Sequence, residues 1–502
     1  MAPHQATCCY GLDMLAVSRV AGWALKSKGL SLVIAIVVIY LLGMLFIGWL
    51  SSRRIHSGND FLLAGRRLGP WLMAGTLAAT ELGGGSTMGV AEKAYGSWGL
   101  SAGWYVLAMS IALLLIAFVA PRLRRAEVRT VPEYFSQRYG PKLGLVTSFL
   151  FIVPLVGLTA TQFIASAVIL SVMTGLDYSS SVVIVVVVIT AYSIMGGLWS
   201  VTLTDIVQFF FIVCGLGLAL PFALQHAGGW DTVVATVPTK KFHWIDGTGW
   251  KTVFTLVVMY VSSFAIGQET VQRFFAARDG KTAATGTVLA AVAFVLFAFV
   301  PALLGLIAFS MVQTGVLDGG LIAEQGNRYV LPLMALKVLP SWLVGIVFAA
   351  LISATMSSAS SDLLAAGSIF SNDIYAQLVR KGASDSEILN VTRLAMVVIA
   401  LCSTPVALSS TSSIIGLLMF SFSLRAAGAF VPYVFGHYWK SANALGAWSS
   451  IIAGSAFVIG THLGVLPKTE WDALIPAITI SLVVFVACGI LAKNKVPNSS
   501  TP

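Results

Sequence analysis

The feature that most constrains this sequence is a succession of long apolar runs, joined by short polar links, that fills almost all of its 502 residues. The runs lie at about 31–50, 71–91, 101–120, 143–174, 181–195, 201–224, 250–268, 283–312, 342–367, 393–408, 411–436, 444–465 and 473–492. A helix crossing a bilayer core needs roughly 20 apolar residues, so the spacing predicts about thirteen transmembrane helices. Composition agrees: 57% of residues are hydrophobic and only 10% charged, against about 25% charged in globular domains, and the mean hydropathy is +0.89. These values exclude a soluble enzyme, a disordered chain and a nucleic-acid binder. The chain reads as an all-α polytopic membrane protein whose first partner is the lipid bilayer. Residues 1–30 form an N-terminal tail without the apolar core of a signal peptide. Residues 31–492 make one transmembrane domain, and 493–502 a C-terminal tail.

An odd number of crossings puts the two termini on opposite sides. With the N-terminus outside, inner links hold 19 of the 30 Lys and Arg and outer links 10, while Arg425 falls within a run. Positive charge collects on the cytoplasmic side, so the expected arrangement is N-terminus outside and C-terminus inside. The net charge of +10 then serves topology, not an acidic partner. Residues 121–142, with Arg122, Arg124, Arg125, Arg129, Arg138 and Lys142, read as a cytoplasmic amphipathic segment. Residues 313–341, with Asp318, Gly319 and Gly320, read as an outer loop or lid. Cys8 and Cys9 lie in the tail and Cys214, Cys402 and Cys488 in apolar runs. None has zinc-site spacing, and no disulfide framework is indicated.

Function is expected where the rules of the hydrocarbon phase are broken, because a charge in a span costs about 2.5–3.5 kcal/mol on insertion scales. The first such place is L-A-A-T-E-L-G-G-G-S-T-M-G, residues 77–89, where Glu81 precedes Gly83, Gly84 and Gly85. A helix interrupted there frees carbonyls on one half and amides on the other, the groups with which broken helices hold sodium and substrate. Close packing through small residues would account for the glycines alone. The second is S-A-T-M-S-S-A-S-S-D-L-L-A-A-G-S, residues 353–368. At 3.6 residues per turn, Ala354, Ser357, Ser358 and Ser361 share one face. Hydroxyl oxygens are hard ligands suited to such cations, although serines in membrane helices also bond back to their own carbonyls. The third is Asp205, which needs a cation, a proton or a hydrogen-bond partner, or caps a helix through Thr202 and Thr204. The fourth is Arg425, which could receive a solute carboxylate, pair with Glu81 or Asp362, or snorkel to an interface.

Several ordered motifs resemble one family. They are F-L-L-A-G-R-R-L-G-P-W (61–71), G-G-L-W-S-V-T-L-T-D-I-V-Q (196–208), Q-R-F-F-A-A-R-D (272–279), M-S-S-A-S-S-D-L-L (356–364) and F-S-N-D-I-Y (370–375). The chain resembles the sodium:solute symporters, which include proline, pantothenate, sialic acid and sodium/galactose transporters. V-G-L-T-A-T-Q-F-I-A-S-A (156–167) is most like the pantothenate branch, and the T-E-L-G-G region the proline branch. The resemblance implies a leucine-transporter-type fold of two inverted five-helix repeats, formed by the second to sixth and seventh to eleventh runs. It implies a sodium site from the backbone of Ala79 and Leu82 with Ala354, Ser357 and Ser358. It also implies a possible second ion at Asp205, Ser360 and Ser361, so sodium is the expected co-transported ion, one or two per cycle. The expected substrate contacts are Glu81, Gly83, Ser86, Tyr105, Gln162 and Arg425. Sugar contacts are not reproduced around Trp104 and Tyr105.

The resulting expectation is a secondary active transporter coupling inward sodium movement to uptake of a small organic solute. Glu81 facing an ammonium and Arg425 a carboxylate suggest an amino acid or other zwitterion. A small carboxylate such as pantothenate or a short-chain acid is the alternative, and proton coupling through Glu81 or Asp205 a variant. A transporter-like sensor or a channel is the competing class. No catalytic residue is expected, since no Ser/His or H-E-x-x-H arrangement lies in the runs and His437 and His462 are isolated.

Overall fold

Backbone amides and carbonyls find no water in the hydrocarbon phase, so the apolar runs fold as helices that bond internally. The computed structural model describes residues 29–53, 58–125, 128–410, 413–467 and 469–493. The tail expected at 1–30 therefore lies outside the described residues up to 28, and the C-terminal tail beyond 493. Helix α1 (Leu30–Ser52) turns much of its apolar surface outward, with Ile39, Leu42 and Phe46 exposed as a lipid-facing helix requires. Helix α2 (Pro70–Glu81) has a proline in its first turn, where no intrahelical amide is lost. Helices α3 (Trp104–Ala117), α4 (Ala120–Arg125), α5 (Pro141–Thr174), α6 (Tyr178–His226), α7 (Trp250–Ile266) and α8 (Gln268–Ala276) follow. Then come α9 (Gly280–Phe297), α10 (Val300–Gln313), α11 (Ser341–Ile369), α12 (Asp385–Ser409), α13 (Ile414–Tyr438), α14 (Ala444–His462) and α15 (Leu474–Lys493).

Ten of the described helices are long and apolar enough to cross a membrane, or eleven if the pair α7 and α8, bent by 53° at Gly267, counts as one span. Two of the ten turn sharply at glycines. Helix α6 has 49 residues, about 74 Å at 1.5 Å per residue, against a hydrocarbon core of about 30 Å. It breaks at Gly197, where φ is 53° and ψ −158°, a conformation free of strain only for glycine. The continuous stretch Gly85–Ala117 likewise turns at Gly96 and Gly99.

Helix α11 is the central element and is buried along nearly its whole length. It packs against α5 and α6, and α2 lies against α6, α9 and α11. That contact brings the glycine break to the serine-rich face. Polar ends of helices are satisfied locally; Asp279, for example, accepts the Thr282 amide at 2.7 Å ahead of α9. This bond holds the Asp279 carboxyl below its ordinary value.

One of the two polar links differs from expectation. Residues 313–341 do not form a free lid: Val330–Val338 is a helix buried except at Lys337. Residues 121–142 contain α4 and the helix Val131–Tyr139, and Arg124 Nε donates to the Ala277 carbonyl at 2.6 Å. Arg273, one of the 19 cations expected in inner links, is completely buried. Removing it leaves 18 inner against 10 outer cations, so the direction of the bias is unchanged.

Candidate functional site

Helix α2 ends where the sequence concentrates glycine. Leu82 has φ −82° and ψ 56°, and its amide makes the last regular bond, to Ala78. Helical structure resumes as a π-helical turn at Gly85–Gly89. Among the described residues no backbone amide across the break donates to the carbonyls of Ala79 or Leu82. Both residues are wholly buried, so two acceptors remain at membrane depth where an unpaired acceptor costs free energy.

The serine face of α11 meets this break. Ser358 Oγ donates to the Thr80 carbonyl at 2.6 Å, joining the two helices directly. Ser357 Oγ donates to Asp205 Oδ1 at 2.6 Å, and Thr76 Oγ1 to Asp205 Oδ2 at 2.5 Å. Ser361 Oγ lies 3.1 Å from Thr80 Oγ1 and accepts from Arg273 Nη2 at 2.5 Å. These three hydroxyls reach across to other helices, whereas Ser360 bonds back to the Ser357 carbonyl at 3.0 Å. Ala354, one turn before Ser358, is buried on the same helix. Asp205 is not a helix cap. It sits inside α6, fully buried, and Thr204 is engaged with Tyr192 and the Ser200 carbonyl.

Beside the break is a narrow cavity of about 30 Å³. Glu81, Gly83, Ser86, Tyr105 and Gln162 line it, together with Glu269, Ser358, Asp362 and the rings and side chains of Phe422, Leu418 and Met109. Glu81 Oε1 accepts from Thr270 Oγ1 at 2.6 Å, and Gln162 Oε1 covers the Gly84 amide at 2.9 Å. Ser86 Oγ donates to the Glu81 carbonyl at 2.9 Å. Five of the six expected substrate contacts are thus gathered on one cavity.

Arg425 is the exception. It is fully buried, does not line the cavity, and grips Glu269 with both terminal nitrogens, at 2.5 and 2.8 Å. Its Nε donates to Ser263 Oγ at 2.9 Å. The pairings with Glu81 or Asp362 weighed in the sequence are replaced by this bidentate pair, and snorkelling to an interface is ruled out by the burial.

Sequence reasoning does not reach Glu269, Thr270 and Arg273, because the apolar run ends at 268 and a polar stretch after it reads as a loop. They lie on α8, every residue of which is buried. Arg273 Nη2 is 3.7 Å from Asp205 Oδ2. One signal could have found them. Glycine-interrupted spans at corresponding places in two halves point to a transporter site, and Gly267 followed by Glu269 answers Gly83–Gly85 preceded by Glu81.

With the geometry in place, comparison with known proteins is decisive. The chain matches the profile of the sodium:solute symporter family over residues 61–454. It belongs to that family. Relatives of this symporter include the osmoregulated proline transporter OpuE of Bacillus subtilis, 26% identical over 470 residues that cover 91% of this chain and 94% of the relative. Another is the high affinity choline transporter 1 of Homo sapiens, 30% identical over 84% of this chain and 75% of the relative. Among solved structures, a sodium-coupled sialic acid symporter in its substrate-bound outward-open state superposes with a TM-score of 0.77 at 22% identity. That match covers 91% of this symporter and 98% of the other chain, and shows the leucine-transporter-type fold. The protein is a multi-pass membrane protein, and its family couples sodium to small organic solutes.

Gly83 gives a direct check on the helix contact. A Cβ there would collide with Ser358 Oγ and lie 3.0 Å from the Gln162 amide. Overpacking of this kind costs about 1–3 kcal/mol, so Gly83→Ala is expected to weaken apparent sodium and solute affinity by about tenfold or more. Gly69→Ala, where a Cβ meets nothing within 4 Å, serves as the control. Sodium-dependent uptake in proteoliposomes measures both.

Proposed function

We propose that this symporter takes up a small organic solute bearing a cationic nitrogen, an amino acid or other zwitterion in the first instance, together with one sodium ion. The observation that carries the proposal is the acidic lining of the cavity: among the described residues Glu81 and Asp362 have no ion-pair partner, while Arg425 is committed to Glu269. An ammonium group fits these carboxylates, with Tyr105 and Phe422 offering ring faces beside them. A solute carboxylate would be met by amides at the start of the 83–89 segment, as at other broken helices. A second reading, an organic cation with no carboxylate, is favoured by the engagement of Arg425. The acidic lining opposes pantothenate or a short-chain acid.

The sodium ion would lie between the carbonyls of Ala79 and Leu82 and the Ala354–Ser358 turn of α11, with Ser357 holding Asp205 at its edge. The Ser358–Thr80 bond and the unpaired carbonyls support this placement. A second ion at Asp205, Ser360 and Ser361 is less well supported, because the Arg273 guanidinium already bonds Ser361 and faces Asp205. Each sodium crossing 100 mV supplies about 2.3 kcal/mol, roughly fiftyfold accumulation from potential alone. Coupling requires ion and solute to favour the same conformation, each raising the affinity of the other. We read the chain as a carrier in a cell inner membrane or plasma membrane, N-terminus outside, and neither an enzyme, a channel nor a sensor.

Competition for uptake in proteoliposomes, with an imposed sodium gradient at fixed pH, tests the proposal. Proline competing supports the zwitterion, and choline alone supports the second reading. Competition only by pantothenate or acetate, or uptake driven by a proton gradient without sodium, would overturn it.

A further inference from the structure

A second crevice of about 190 Å³ lies away from the solute cavity, between α3, α4, α7 and α13. Its walls are largely apolar, built from Leu115, Ile116, Val261, Ala265 and Phe430 among others. At its mouth Arg122 Nη1 donates to Tyr438 Oη at 3.0 Å, and both side chains are exposed. Arg122 belongs to the short helix that also carries Arg124 and Arg125. Two buried polar atoms of the lining, Tyr433 Oη and His437 Nε2, have no hydrogen-bond partner among the described residues, and Tyr433 is only 1% exposed.

The chemistry of those two atoms is specific. His437 Nδ1 lies 2.8 Å from the Tyr433 carbonyl. A carbonyl can only accept, so Nδ1 carries the proton and the neutral ring presents Nε2 as an acceptor. The crevice therefore wants a hydroxyl donor for His437, an acceptor for the Tyr433 hydroxyl, an anion at Arg122 and an apolar chain along its walls. We propose that it binds an anionic phospholipid with a hydroxyl-bearing headgroup. The phosphate would sit at Arg122, the headgroup hydroxyl and ester oxygens at His437 and Tyr433, and one acyl chain along Leu115, Val261 and Ala265. Basic pockets between helices at the cytoplasmic side are suited to acidic headgroups. The lipid would also bear on transport, since α3 carries Tyr105 and α13 carries Leu418 and Phe422 of the solute cavity.

Thermal unfolding and native mass spectrometry of the purified full chain, with phosphatidylglycerol, phosphatidylcholine or inorganic phosphate added, test the assignment. Phosphatidylglycerol is expected to raise the unfolding temperature by several degrees more than phosphatidylcholine, and phosphate alone to do nothing. Arg122→Ala and Ala265→Phe are each expected to remove that difference and to lower retained phosphatidylglycerol at least tenfold. Equal stabilisation by the two lipids, a shift with phosphate alone, or full retention in Arg122→Ala would overturn the proposal. If Ala265→Phe fails to fold, lipid retention by Arg122→Ala decides the question.

Discussion

Replacing Arg425 by alanine is expected to abolish uptake and to lower the unfolding temperature sharply. The guanidinium is fully buried and holds both oxygens of Glu269, at 2.5 and 2.8 Å. Removing one partner of a buried pair leaves the other charge unmatched, at a cost of about 3–5 kcal/mol. Here the orphan would sit against Glu81 and Asp362 on the same cavity, which adds repulsion. The double variant Glu269→Gln/Arg425→Gln is expected to recover most of the lost stability, because exchanging both members of a buried pair is far milder than exchanging one. Thermal unfolding of purified protein measures the stability terms, and proteoliposome uptake the activity. Were Arg425 instead a receptor for a solute carboxylate, Arg425→Ala would stay as stable as the native protein and lose only its response to carboxylate-bearing solutes.

The largest effect on ion coupling is expected from Ser357→Ala/Ser358→Ala. Ser358 links α11 to the Thr80 carbonyl, and Ser357 satisfies Asp205. A hydrogen bond to a charged group contributes about 1.5–3 kcal/mol, so losing the oxygen at Ser358 should raise the half-saturating sodium concentration by tenfold or more. The single variants separate the two roles. Ser358→Ala should act mainly on sodium affinity, and Ser357→Ala on folding as well, since it strips a partner from a buried carboxylate. Sodium titration of the unfolding temperature, with lithium and potassium as controls, reads the ion site without relying on transport. Unchanged sodium activation in the double variant would contradict a site between these helices.

Most of the architecture was legible because membrane insertion leaves a coarse mark: apolar runs of the required length, with charge biased to one side. The break at Leu82 and the serine face of α11 were legible for the same reason, since glycines, hydroxyls and Glu81 are costly in a span. What the sequence did not disclose was pairing. Arg425 and Glu269 lie 156 positions apart, and the local pattern at Arg425 is equally compatible with Glu81 or Asp362. Arg273 and Glu269 were lost for a different reason. They follow Gly267 at the end of an apolar run, and a polar stretch after such a run reads as a loop unless the bent helix is foreseen. The buried helix Val330–Val338 misled in the opposite direction, because its flanking glycines and Asp318 signal a surface turn.

Only one of the three carboxylates around the solute cavity is neutralised by an arginine in contact with it; Glu81 and Asp362 have no ion-pair partner among the described residues. With both ionised, the occupied carrier holding sodium and, on the second reading, an organic cation would cross nearly uncharged, whereas the vacated carrier would travel back with two surplus electrons' worth of charge. An inside-negative voltage would then pull on the homeward stroke and leave the delivery stroke almost untouched, so that hyperpolarisation speeds turnover by resetting the machine.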